Sequence, residues 1–369
     1  MKKVISILVL MMLLGSIALT GCGQKAVAPA APAAPTKAAE PTKAPETKKA
    51  LKIGYFVSAL NNGFHQAHSV WAKKYAKEKY GADVQVFDGK SDANVMAQNF
   101  DQAVAQGMDM VSLQIWQGES VKAAATEALK KGMIITTYFD KIPGINNPHV
   151  MPGEAEISEQ MGKIAAEQWK KAHPDKPIVF VQIGWPEHEG VTFGRTKPFV
   201  KGVLSVDPKA KNLGCMDASK GADAAKKVTQ DLIQANPGLN IIYSEAADLT
   251  VGVLPALQQL GRGKMNNGVP ITEILCSVDL PENELVSCFD PSSSLKMSMG
   301  LPPKETAMVR IDTMMKIKNG EIKQEDANLA TIYVPNKLIG YWSQKDVKEA
   351  VDWYNDQNGT SVKVPEYKK

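Results

Sequence analysis

From Leu51 onward, short apolar runs alternate with longer stretches whose apolar residues return every three or four positions. Lys52 to Val57, Val84 to Phe87, Met110 to Gln114 and Ile134 to Tyr138 do not alternate polar with apolar, so they predict parallel strands covered on both faces. Between them, Phe64 to Tyr80, Asn94 to Gln106 and Val121 to Lys131 predict helices. Gly81, Gly107 and Gly132 lie at or just past their ends, where glycine most easily takes a left-handed cap. The result is a repeated βαβ unit, a doubly wound α/β sheet.

After a helix over Ile157 to Ala172 the order restarts. Ile178 to Gln182, Lys211 to Cys215, Ile241 to Ser244, Ile271 to Cys276 and Leu295 to Met299 predict strands. Helices near Lys197 to Ser205, Ala222 to Ala235, Leu249 to Leu260 and Glu282 to Cys288 separate them. The stretch "TQDLIQANPGLNIIYSE" echoes "FDQAVAQGMDMVSLQ" and suggests two like lobes. The chain beyond residue 50 is also longer than one hydrophobic core usually serves. After Leu301-Pro302-Pro303 come a long helix to Asn319, a strand near Thr331 to Val334 and a helix around Lys345 to Tyr354.

The amino terminus has a different pattern. Met1-Lys2-Lys3 is basic, and Val4 to Ala18 is almost wholly apolar but too short to be a lasting membrane span, which is the order of an export signal. "LTGC" (Leu19 to Cys22) resembles the lipobox of bacterial lipoproteins, which implies cleavage before Cys22 and lipidation of its thiol. Acyl chains add about 0.8 kcal/mol per buried methylene, so the expected state is tethered. Residues 23–50 are an Ala/Pro/Lys/Thr linker with no apolar period.

The linker and signal also account for the basic charge. The chain carries 43 basic and 39 acidic side chains, +4 in total, but its first 50 residues hold 7 Lys and 2 Glu. The remainder is therefore near −1, which argues against a nucleic-acid partner. Cys215, Cys276 and Cys288 match no metal framework. A Cys276–Cys288 bridge and buried free thiols both remain open.

No enzyme motif is complete. "GESVK" (Gly118 to Lys122) lacks the second glycine and the partners of a nucleophile elbow. "DGKS" (Asp88 to Ser91) has Val84 where a phosphate-binding loop needs glycine. His65 and His68 have no glutamate in an H-E-x-x-H arrangement. Neither a catalytic role nor a cofactor or metal is expected.

The remaining candidates are polar and aromatic residues at the carboxyl ends of strands, the ligand edge of an open α/β sheet. They are Asn62, Phe64, His65, Trp116, Asp140 and Lys141 in the first half, and Trp185, Arg195 and Asp279 in the second. Carboxylates and a guanidinium bind hydroxyls, and aromatic rings cover C–H faces, an inventory suited to a sugar or polyol.

Residues Leu51 to Lys323 resemble the ribose/galactose-type solute-binding proteins of bacterial sugar ABC importers, the type I periplasmic binding fold. The resemblance lies in "SALNNGFHQAHSVWAKKYAKEKYGADV", "TYFDK", "GRTKPFVKG", "GVLPALQQLG" and "CSVDL". It implies ligand contacts at Asn62, Phe64, His65, Asp140, Lys141, Arg195 and Asp279, with Phe64 and His65 forming one wall of a cleft. It also implies two doubly wound lobes, 51–153 plus 302–325 and 154–301 plus 326–369. They would be joined by three crossovers near Pro152–Glu154, Leu301–Pro303 and Lys323–Ala330. His65 replaces the family's second aromatic, Ala246 a usual asparagine and Gly300 a frequent glutamine. Those departures lead us to expect a roomier site and no tight ribose binding.

The implied partners are a small solute, an ABC permease with its ATPase, and the membrane through the lipid. The chain should be monomeric and extracytoplasmic, on a Gram-positive surface in preference to a periplasm. The alternative is a ligand sensor that docks on a chemoreceptor or histidine kinase.

Overall fold

The computed structural model describes residues 50–326, 331–340 and 347–364. The expected signal, Cys22 and nearly all of the linker lie outside the described residues, as do 327–330 of the expected third crossover.

The first sheet is built from β1 (Lys52–Val57), β2 (Asp83–Asp88), β3 (Met110–Gln114), β4 (Ile134–Tyr138), β5 (His149–Gly153) and, late in the chain, β13 (Ile332–Pro335). Its spatial order is β2-β1-β3-β4-β5-β13, and every pairing is parallel. Successive side chains of a strand point to opposite faces. Accordingly Ile53, Tyr55 and Val57 pack with α1 (Gly63–Tyr80) and α10 (Pro303–Lys318), whereas Phe56 packs with α2 (Ala93–Ala105) and α3 (Lys122–Lys130). Both faces are covered, which is why the run was continuously apolar.

The second sheet contains β6 (Val179–Gly184), β7 (Lys211–Asp217), β8 (Ile241–Ser244), β11 (Ile274–Asp279), β12 (Leu295–Gly300) and β14 (Lys337–Gly340), in the order β7-β6-β8-β11-β12-β14. Only β14 runs antiparallel. One face carries α4 (Glu154–Ala172) and α6 (Lys197–Val206). The other carries α7 (Ala222–Ala235), α8 (Ala247–Gln259) and α9 (Glu282–Phe289), and α11 (Val347–Asn358) packs there through Ala350 and Tyr354. Two doubly wound lobes were expected from the sequence, and two are present.

The chain passes between sheets at Gly153–Glu154, at Leu301–Pro302 and at Asn336. The third lies past the Lys323–Ala330 expected for it, because β13 pairs with β5 (Ile332↔Val150 to Pro335↔Gly153) before the chain leaves for β12. Residues 332–335 thus belong to the first lobe. β5 and β14 went unread; β5 lies between β4 and β13, and β14 runs beside β12. The strand expected from Ile271 begins at Ile274, since β9 (Met265–Asn266) and β10 (Val269–Pro270) form a hairpin. Cys215, Cys276 and Cys288 are free thiols, the latter two buried.

Candidate functional site

The opposed strand ends enclose a cavity of about 290 Å³, at the small end for ligand sites. Seven of the nine candidates line it: Asn62, Phe64, His65, Trp116, Trp185, Arg195 and Asp279. Asp140 and Lys141 do not. Phe139, at φ +72°, turns the chain so that its own ring and that of Tyr138 take the wall positions expected of the pair. Lys141 is exposed, and the Asp140 Oδ2 stands 3.4 Å from His188 Nε2. Burial raises Asp140 to about 7, with Glu189 adding to the effect, and lowers His188 to about 4, with Arg195 beside it.

Asn62 performs two tasks. Its Oδ1 caps α1 by accepting from the Phe64 and His65 amides at 2.9 and 3.4 Å, which fixes both aromatic side chains at the cleft. Its Nδ2 donates to Asp279 Oδ2 across the lobes at 3.3 Å. Asp279 Oδ2 also accepts from the Ala247 amide, and Asp279 itself sits at φ +86° as the last residue of β11. Asp248, on the first turn of α8, lines the same wall, where burial and the Asp279 carboxylate raise it to about 6.

Arg195 lies in a π turn, Thr192–Thr196, between a short helical turn, α5 (Glu189–Val191), and α6. The widened turn brings the guanidinium inward, where it forms a bidentate pair with Glu154 (Nε to Oε2 2.9 Å, Nη2 to Oε1 2.6 Å). Its Nη1 donates to the Glu245 carbonyl. Burial opposes this charge, but Glu154 outweighs it and holds Arg195 above its ordinary value. A Cβ on Gly194 would come within 2.9 Å of Glu154 Oε2, so glycine is what admits the pair. Arg195 therefore reaches the cavity as a neutralised, fixed donor rather than as a free cation.

Aromatic rings enclose the remainder. Trp116 and Phe139 each meet His188 edge-on, at centroid separations of 5.7 Å. The volume expected at Gly300 is not available, because the Trp353 ring of α11 stands where a Gly300 side chain would go, 2.7 Å from an added Cβ. The site is thus compact rather than roomy.

The His65 and His68 spacing has a use after all. One turn apart on α1, the rings are joined from His65 Nδ1 to His68 Nε2 at 2.9 Å, and His68 Nδ1 meets the Tyr55 hydroxyl at 2.9 Å. Burial, with Arg310 and Arg195 nearby, lowers His65 to about 3, and His68 lies well below its ordinary value for the same first reason. Both rings are neutral at physiological pH. Sequence reasoning missed Glu154, Phe139, His188 and this chain of rings. For Glu154 the only available signal was its position beside the first expected crossover.

A family model described as a periplasmic binding protein domain matches residues 53–322. Among solved structures, the periplasmic binding protein component of an arabinose ABC transporter from Shewanella sp. ANA-3 is 14% identical, with a TM-score of 0.69 over 85% of this chain and 99% of that one. A Caulobacter myo-inositol binding protein bound to myo-inositol is 19% identical, with a TM-score of 0.67 over 83% and 97%. A galactofuranose binding protein is 18% identical, with a TM-score of 0.66 over 84% and 99%. At these identities the likeness is one of fold.

Proposed function

The chain belongs to the periplasmic binding protein family, and on that footing we propose that it is an extracytoplasmic receptor that captures a sugar or polyol between its lobes. The observation that carries this reading is the cavity itself. Aromatic faces from both lobes converge there with the Asn62–Asp279 bond and the Glu154-clamped Arg195. C–H faces would lie on the rings, and hydroxyls would pair with the fixed donors and carboxylates. Structural neighbours described with myo-inositol and arabinofuranose support the same class. The compact volume favours a molecule of monosaccharide size, held and released unchanged, without turnover.

Ligand contacts to both lobes would stabilise a closed form by population shift, with the three passages at Gly153–Glu154, Leu301–Pro302 and Asn336 as hinges. The closed form would be delivered to an ABC permease and its ATPase. An exposed groove bordered by Val70 of α1 and Val251 of α8, one from each lobe, supports such docking. Cys22 would supply the lipid anchor, on a Gram-positive surface, and the receptor would act as a monomer.

The test is a thermal-shift screen against pentoses, hexoses, inositols, disaccharides and nucleosides. At about a hundred times the dissociation constant, a ligand stabilises by roughly 2.7 kcal/mol. A shift with a monosaccharide or inositol is expected. A shift with nucleosides alone would overturn the ligand class. Binding without any loss of uptake when the chain is deleted would replace the importer reading with sensing.

A further inference from the structure

Beneath the His65 wall lies a buried cation that the proposed binding role does not by itself require. Arg310 of α10 is fully buried, with its guanidinium carbon 3.9 Å from the centroid of the Tyr55 ring and 4.5 Å from that of Tyr138. Its Nε donates to Ser112 Oγ at 2.8 Å, and its Nη2 to the carbonyls of Phe56 and Ser112 at 2.8 and 2.9 Å. Its Nη1 has no hydrogen-bond partner among the described residues. From Tyr55 the contacts run through His68 to His65, and of these groups only His65 lines the cavity.

We propose that Tyr55, His68 and Arg310 are positioning residues that hold His65 in one tautomer, with Nε2–H presented to the ligand, so that this wall accepts only a hydrogen-bond acceptor oxygen.

Each neutral imidazole carries a single N–H, so the chain of contacts has two registers. In one, Tyr55 O–H donates to His68 Nδ1, His68 Nε2–H donates to His65 Nδ1, and His65 keeps its proton on Nε2. In the other, every bond is reversed and His65 offers a bare Nε2. Among the described residues the Tyr55 hydroxyl is hydrogen-bonded to His68 Nδ1 alone, so the reversed register leaves its hydrogen without an acceptor there and beside a cation. An unmet buried donor is costly, and the Arg310 charge repels that hydrogen while attracting the oxygen lone pairs. The first register satisfies both groups at once. The cation thus sets, through two rings, the hydrogen-bonding sense of a side chain at the cleft.

The consequence for specificity rests on the sugar reading above. A ring oxygen, a carbonyl or a hydroxyl turned to accept can occupy the position facing His65, whereas an amide or ammonium N–H is rejected because two donors would meet. His65 therefore replaces an aromatic wall with a directional one.

The first measurement is long-range ¹H–¹⁵N NMR of histidine-labelled, ligand-free protein, with His65 assigned by its loss in His65→Gln. A protonated Nε2 and a bare Nδ1 are expected, and a protonated Nδ1 would overturn the proposal whatever ligand binds. Tyr55→Phe keeps the ring under Arg310 and deletes the hydroxyl. It should let both tautomers of His65 appear and weaken binding of the sugar found by the screen about fivefold, the equivalent of one net hydrogen bond. An unchanged single tautomer in Tyr55→Phe would refute the relay. Should that variant not fold, the wild-type spectrum still decides. If no sugar binds but the spectrum is as expected, the sugar reading fails and the donor assignment stands.

Discussion

Arg195 shows how one residue can serve the site and the fold together. Three of its five N–H groups are engaged by Glu154 and the Glu245 carbonyl, all in a buried setting. Truncation would strand the Glu154 carboxylate without its partner, which costs about 3–5 kcal/mol. Arg195→Ala should therefore lower the urea midpoint as well as abolish binding, and an unchanged midpoint would show that the pair is structurally idle. Asp279 is the cleaner probe of the site. Asparagine keeps its shape and tolerates a positive φ, so Asp279→Asn should fold normally. Loss of the charged acceptor should weaken sugar binding roughly ten- to a hundredfold by calorimetry, on a scale of 1.5–3 kcal/mol for a charged hydrogen bond.

At the scale of elements, the second lobe depends on how closely α4 and α6 approach. A Cβ on Gly162 would stand 2.2 Å from the Phe199 carbonyl oxygen, and one on Gly202 would stand 2.0 Å from that of Glu159. Backbone meets backbone there, so neither contact can be relieved by rotating a side chain. Gly162→Ala and Gly202→Ala should each destabilise by about 3 kcal/mol, at the upper end for overpacking, as read from thermal unfolding. The same close approach anchors the π turn that carries Arg195, since α6 continues directly from it. Both variants should consequently bind ligand more weakly even below their unfolding temperatures. Wild-type affinity at 10 °C would detach the helix packing from the site.

For the whole molecule, stability should depend on pH through a group remote from the cleft wall. Glu284 of α9 is buried and accepts from Ser277 Oγ at 2.6 Å and Ser298 Oγ at 2.7 Å. Burial raises it to about 8, the two hydroxyls offset part of that, and Asp279 adds to it. Between its ordinary value of 4.5 and about 8, the folded chain keeps a proton that the unfolded chain has lost. The folded state therefore loses stability as pH rises through that window, by up to about 1.4 kcal/mol per pH unit, and the contribution is fully present below it. Glu284→Gln mimics the protonated group. It should match wild type near pH 5 and exceed it in melting temperature near pH 8, and parallel pH profiles would refute the assignment.

What the sequence determined by itself was whatever depends on near neighbours in the chain. Period and glycine punctuation gave most strands and helices of both lobes within a few residues, because burial on two faces leaves a continuous apolar run in the local sequence. Seven of the nine candidates fall at the cavity because a doubly wound sheet presents the ends of its strands to one edge. The rest was decided by groups far apart in sequence. β5 went unread and lies between β4 and β13, and the pairing of β13 with β5 puts the third passage at Asn336. Phe139 displaced Asp140 from the wall through a positive φ, and Trp353 filled the space above Gly300 from α11, the last helix described. The Arg310 cation and the two rings that link it to His65 come from β1, α1 and α10, so only their packing could reveal them.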